Sequence, residues 1–147
     1  MLAQQMATPF SGYGWGSYKP ASAVTDFKAG DIMSLASGHV YIVVGQCSDG
    51  SVVLLHSSPC GVMISGTTTR SGSTGSEAIS LANQYMKTYY PQWYAKFPNC
   101  TRGASYITQY SQMRWYIGTK KSMLSDPDGY RNKSAKQILK NLFKSMD

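Results

Sequence analysis

The strongest pattern in the chain begins at His39. Two nearly continuous apolar runs, His39-Val40-Tyr41-Ile42-Val43-Val44 and Val52-Val53-Leu54-Leu55-His56, flank Ser48-Asp49-Gly50. Val- and Ile-rich runs of this length around a turn signal predict a β-hairpin buried on both faces, with Asp49-Gly50 supplying the positive-φ turn. Val62-Met63-Ile64 predicts a third strand, and the Ser- and Thr-rich stretch from Gly66 to Gly75 predicts a loop. Ala78, Leu81, Ala82, Tyr85, Met86 and Tyr89 then recur at helical spacing, with Ser76 as N-cap and Pro91 as stop. Met113 to Ile117 predicts another strand, and Asp126-Pro127-Asp128-Gly129 a turn. Ser134 caps a last helix with Ile138, Leu139, Leu142, Phe143 and Met146 on one face, and Lys136, Lys140 and Lys144 toward solvent.

Residues 8–30 carry no such periodicity. Their Gly, Pro, Ser and aromatic residues predict a loop, and the run Gly12-Tyr13-Gly14-Trp15-Gly16 disfavours a helix. Its aromatics can stack on sugar rings, but packing against the body of the domain is the favoured reading. The expected fold is therefore α+β, a small antiparallel sheet with packed helices. One domain covers 1–147: a leading loop over 1–26, the hairpin-containing core over 27–66, and helices, a strand and a basic C-terminal helix over 67–147.

Composition narrows the setting. At 147 residues and 42% apolar, the chain can bury a core without a disulfide or metal framework. Only 14% of residues are charged, while 11 are Tyr, a polar and aromatic surface that leans extracellular. The net charge is +7, and eight of the 14 basic residues lie from Arg114 onward. A solvated basic face is the first reading of that excess and a polyanionic cell wall the second. Nucleic acid is not expected, because no recognition helix, zinc finger or RNA-binding signature accompanies the charge. No apolar run reaches the ~20 residues a membrane span needs, and Met1 to Phe10 does not read as a signal peptide.

The only two histidines both fall on the hairpin. With a four-residue loop from Cys47 to Gly50, Gln46 faces Ser51 and Tyr41 faces His56. Side chains alternate along a strand, so His39 and His56 then project from one face as diagonal neighbours. A two-residue loop preserves this relation, and a three-residue loop separates the rings. Two adjacent imidazoles suit a general base and the group that fixes its tautomer; the competing reading is a pair of histidines that only satisfy local hydrogen bonds.

The cysteines do not complete the site by themselves. Cys47 lies at the turn, over ~20 Å along the ribbon from His39, and the same separation argues against a Cys47–Cys60 disulfide. Cys60 can approach the histidines as a nucleophile or, with His39 and His56, as a zinc ligand. However, a strand-end thiol lacks the helix terminus that favours a thiolate, and no closely spaced ligand motif is present. Cys100 shows no sign of a role. The acidic turn has only a fragment of a calcium loop, the Gly-rich run is not a phosphate loop, and no nucleophile elbow occurs. No metal and no cofactor is expected.

The segment Phe27 to Ser58, about a quarter of the chain, resembles the core of the NlpC family of papain-like cell-wall peptidases. Ala29-Gly30-Asp31-Ile32 resembles that family's Pro-Gly-Asp-Leu approach to the sheet. Gly38-His39-Val40-Tyr41-Ile42-Val43-Val44-Gly45 resembles its catalytic-histidine strand, and Leu55-His56-Ser57 the strand bearing its third polar residue. The resemblance implies a papain-like core, with His39 as catalytic general base and His56 as its orienter. It also implies a bacterial, extracellular or envelope enzyme that cuts peptidoglycan stem peptides through an acyl-enzyme.

Two departures matter. Tyr41 stands where the family usually has a small residue. The family's nucleophilic Cys opens a helix before the Gly-Asp pair, and no Cys precedes Cys47 here. A helix N-terminus and a neighbouring imidazolium stabilise such a thiolate, so without one His39 has nothing to activate. The expectations are the C-terminal part of a peptidase whose Cys helix lies outside this chain, inactive as it stands; a noncatalytic relative that binds wall peptide or another protein; or a β-rich binding module that is alike by coincidence.

Overall fold

The computed structural model describes residues 6–58, 61–118 and 122–144. Seven strands form one sheet in the order β1-β7-β2-β3-β4-β5-β6. They are β1 (Gly16–Lys19), β2 (Ile32–Leu35), β3 (His39–Gln46), β4 (Val52–Ser58), β5 (Gly61–Thr67), β6 (Thr101–Arg102) and β7 (Ser111–Trp115). All neighbours are antiparallel except β5 and β6. The α+β class with an antiparallel sheet follows from the sequence pattern. No helix among the described residues is long and apolar enough to cross a membrane.

The hairpin reaches its expected register by an unexpected route. Its turn holds five residues, Cys47 to Ser51, because Gln46 pairs with Val52 rather than Ser51. Gly50, at φ 81°, takes the left-handed position. One extra turn residue would flip every side chain before it to the other face. A β-bulge between Val43 and Gly45 cancels the shift, restoring Val43↔Leu54 and Ile42↔Leu55. Continued by one step, this register sets Tyr41 against His56. The backbone beside the bulge carries α5 (Ala135–Phe143), and a Cβ on Gly45 would stand 2.8 Å from the Ala135 backbone.

Two layers cover the sheet. On one side α2 (Glu77–Tyr89) and α5 bury Ala78, Leu81, Ala82, Met86, Ile138, Leu139 and Phe143. Both expected N-caps are present: Ser76 accepts from the Ile79 amide, and Ser134 forms a capping box with Gln137. The other face packs Met33, Tyr41, Val43, Val52 and Leu54 against Val24, Phe27, Ile107 and Tyr110. The expected burial of both hairpin faces is incomplete. Ile42 is 46% and Leu55 37% exposed, because the helices leave an apolar groove of about 560 Å³ whose lining includes Leu55, Val62, Trp93 and Leu142.

Several elements depart from expectation. The leading loop contains a helix, α1 (Ala7–Gly12), and the edge strand β1. Phe10 is buried edge-on against Trp115, and a Cβ on Gly16 would collide with the Arg114 carbonyl, so close packing organises this segment without hydrophobic periodicity. Strand β7 starts and ends two residues before the predicted span. Pro91 stops α2 and also opens α3 (Pro91–Lys96), since a first-turn position needs no amide donor. A further short helix, α4 (Ser105–Thr108), precedes β7. The acidic turn is a backbone cap: Asp126 accepts from the Tyr130 and Arg131 amides. Met146 and Cys60 lie outside the described residues.

Strands β2 and β7 are joined through a buried charge. Asp31, fully enclosed, takes both its carboxylate oxygens to Arg114 at 2.9 and 2.7 Å, and Arg114 also reaches Asp26 at 3.1 Å. The Lys28 amide supplies a further donor to Asp31. Removing the guanidinium leaves an uncompensated carboxylate in the interior. Arg114→Met is expected to lower unfolding stability by about 3–5 kcal/mol in urea titrations at neutral pH. A loss under about 1 kcal/mol would show that the pair does not hold the sheet together.

Candidate functional site

His39 lies at the start of β3 and His56 near the end of β4, the open end of the hairpin. Alternation puts His39 in line with Tyr41 and Val43, and His56 in line with Leu54 and Val52. Both rings therefore belong to the face that carries the second core cluster. The structure brings them together: Nδ1 of His56 is 3.4 Å from Nε2 of His39, and the rings meet edge-on. At that distance the contact is long and weak for a hydrogen bond.

Each ring uses its second nitrogen. Nε2 of His56 is 3.0 Å from the buried Ser65 hydroxyl on β5, and Nδ1 of His39 is 2.9 Å from the Tyr110 hydroxyl. Tyr110, His39, His56 and Ser65 thus form one chain. A neutral imidazole has one donor and one acceptor nitrogen, so the chain must run in one direction throughout. With Tyr110 donating, Nδ1 of His39 is the unprotonated, accepting nitrogen and Nε2–H points to His56, whose own Nε2–H points to Ser65. That polarity is the one a general base needs.

The surroundings keep both imidazoles uncharged. Burial lowers the His39 pKa, and the Arg102 guanidinium lowers it further. Burial brings His56 down to about 4, helped by Arg102 and by His39. Burial also raises the Tyr110 phenol well above its ordinary range, with Tyr106 adding to the rise, so it keeps its proton. Tyr106 stacks on both Tyr110 and Tyr41, and its carbonyl accepts from the Tyr41 hydroxyl at 2.6 Å. Tyr41 points into this aromatic packing and is buried.

The described thiols stand outside this chain of groups. Cys47 is buried at the far end of the hairpin, where burial pushes its pKa up to about 12. Cys100 is also buried, and burial raises it too. Neither is a thiolate nucleophile at neutral pH. The alternatives built on Cys60, as nucleophile or as zinc ligand with His39 and His56, fall outside the described residues. Cys47, Asp49 and Glu77 lie close enough to share an ion. Their carboxylates are already engaged: Asp49 accepts from the Ser51 and Glu77 amides, and Glu77 from Ser48, which ties the hairpin turn to α2.

Sequence reasoning reached the two histidines and missed Ser65, Arg102, Tyr106 and Tyr110. The one local hint was the i, i+4 spacing of Tyr106 and Tyr110 after Gly103. The apolar groove lies on the helix side of the hairpin, and neither histidine lines it. No protein-family model matches the chain, and no curated protein and no solved structure matches it.

The low His56 pKa makes stability depend on pH. Between about pH 4 and 6.5 the unfolded chain binds a proton that the folded chain refuses, so stability is full above about 6.5 and is lost as pH falls toward 4. Urea titrations are expected to show a loss of about 2 kcal/mol from pH 7 to pH 5, with His56→Gln removing most of that slope. A slope unchanged in the variant would place the titrating group elsewhere.

Proposed function

We propose that this chain carries the base half of a cysteine peptidase centre of the NlpC type, directed at peptide stems of bacterial peptidoglycan and working at the cell envelope. In this reading the sheet around β2 to β5 is the papain-like core. His39 accepts a proton at Nδ1 from a thiol, holds it through the tetrahedral intermediate and gives it to the amine that leaves as the acyl-enzyme forms; it then takes a proton from the water that hydrolyses the thioester and returns it to the thiol. His56 orients His39 through Nε2, and Ser65 fixes the tautomer of His56. The observation that carries the reading is that orienting chain: a half-buried imidazole backed by a buried one, which is in turn backed by a buried hydroxyl. Neither described thiol reaches His39, and this reading takes the nucleophile from polypeptide preceding the chain, which by itself is then inactive.

A second reading, a noncatalytic relative that binds wall peptide or another protein, is favoured by one specific contact. The Tyr110 hydroxyl occupies the His39 nitrogen that a nucleophile needs. In the peptidase reading Tyr110 must give way when the thiol docks.

The test extends the chain with the polypeptide encoded directly upstream and incubates both forms with purified peptidoglycan. The chain alone is expected to release no new amines. The extended form is expected to release them, and His39→Ala to reduce the rate at least about 10²-fold, the usual contribution of a general base. An extended form that carries a cysteine yet releases nothing would leave the binding reading, and release that survives His39→Ala would overturn the assigned base.

A further inference from the structure

The sheet face opposite the histidines is not fully covered. Where α2, α3 and α5 meet β4 and β5 they leave the cavity of about 560 Å³, with Leu55, Val62, Met86, Trp93, Leu139 and Phe143 in its wall. Tyr90 and Trp93 are the only lining side chains that carry an O–H or N–H. Val62 is 69% and Leu142 51% exposed, so the apolar wall runs out to the surface, which soluble monomers seldom allow without a use. The volume lies in the ~300–1,000 Å³ range of small-molecule sites. An extended peptide seated in it would leave backbone N–H and C=O groups without partners. A helix is too large: at ~10–12 Å across and ~5.4 Å pitch, one turn fills roughly 400–600 Å³. A single polymethylene chain needs neither hydrogen bonds nor that width.

Charge fixes the other end of such a ligand. Residues three apart on a helix are neighbours, which sets Lys87 beside Tyr90, Lys96 beside Trp93, Lys136 beside Leu139 and Lys140 beside Phe143, and all four lysines are exposed. Strands β3 to β5 and helices α3 and α5 contain no Asp or Glu, and Glu77 stands at the opposite end of α2 from Met86, where it accepts from Ser48. The only ion pairs among the described residues are those of Arg114, so none of these lysines has an acidic partner. The C-termini of the three helices carry roughly half a negative charge each, which four ammonium groups exceed. We propose that the cavity binds a free fatty acid, its acyl chain against Met86, Leu139 and Leu55 and its carboxylate at the lysines. This site is independent of the peptidase reading, because the cavity and the histidine pair lie on opposite faces of the sheet.

The experiment titrates the intact chain with decanoate, hexanoate and decanol, following calorimetry, tryptophan emission and the imidazole NMR signals. Decanoate is expected to bind on the order of a hundredfold more tightly than hexanoate, because it buries four more methylenes. At low salt it is expected to bind about two- to tenfold more tightly than decanol, an advantage lost in ~1 M salt, where the Debye length is ~3 Å. Decanoate should change the emission of Trp93 and leave the signals of His39 and His56 in place. Leu142→Gln is expected to weaken decanoate about tenfold, with Val62→Gln as a second variant, both at exposed positions outside the buried core. Equal affinity for decanoate and hexanoate, decanol binding as tightly as decanoate at low salt, or affinity unchanged in both variants would overturn the proposal. So would self-association of the chain that Leu142→Gln abolishes, which would give the face to a second copy. Binding to phosphatidylglycerol vesicles without saturable binding of decanoate would give it to a membrane surface and equally overturn the site. An inactive extended chain would leave this site standing, and absence of decanoate binding would leave the peptidase reading standing.

Discussion

The structure depends on one cancellation in a β-ribbon. A five-residue turn shifts the pairing of β3 and β4 by one residue, and a bulge beside Gly45 shifts it back. Strand side chains alternate with period two, so either irregularity alone would send His39 and His56 to opposite faces of the sheet. The turn is fixed by Gly50 in the left-handed region and by Asp49, which accepts from the Ser51 and Glu77 amides. The bulge lies against α5, which packs so closely on Gly45 that no side chain fits there. Helix packing on one face therefore controls which side chains meet on the other.

From that register follows the chemistry. On the second face, polar groups from three strands and from the segment after α4 join in the order Tyr110, His39, His56, Ser65. Burial makes charge expensive there, and Arg102 makes a positive charge more expensive still, so the chain rests neutral. Neutral imidazoles hydrogen-bonded end to end are limited to two concerted polarities, and the one in which Tyr110 donates leaves His39 unprotonated at Nδ1. The buried Asp31–Arg114 pair holds β2 against β7, and β2 in turn pairs Leu35 with His39. The strand that carries the base is thus braced from both sides.

Much of this was legible in the sequence where the signal is local. The apolar runs marked β3 and β4, the helical spacing from Ala78 marked α2, and Ser76 and Ser134 marked the caps that the structure uses. The shared face of the histidines followed from a four-residue loop that does not exist; the bulge makes the conclusion hold for a different reason. What was not legible is non-local or too short to be periodic. Tyr110 meets His39 across 71 residues, β6 is two residues long and α4 four, and β1 is recognisable only through its pairing with β7. Ser65 sits in a plain β run, and nothing in its neighbours announces a bond to an imidazole.

The central claim is that His39 is a neutral base unprotonated at Nδ1, oriented by His56 and capped at that nitrogen by the Tyr110 hydroxyl. The most direct measurement is long-range ¹⁵N–¹H NMR of the two imidazoles at neutral pH, on the native chain and on Tyr110→Phe. The account predicts two neutral rings, both carrying their proton on Nε2, with the Nδ1 signal of His39 shifted when the phenol hydroxyl is removed. A His39 ring that is charged, averaged between tautomers, or unaffected by Tyr110→Phe would contradict it.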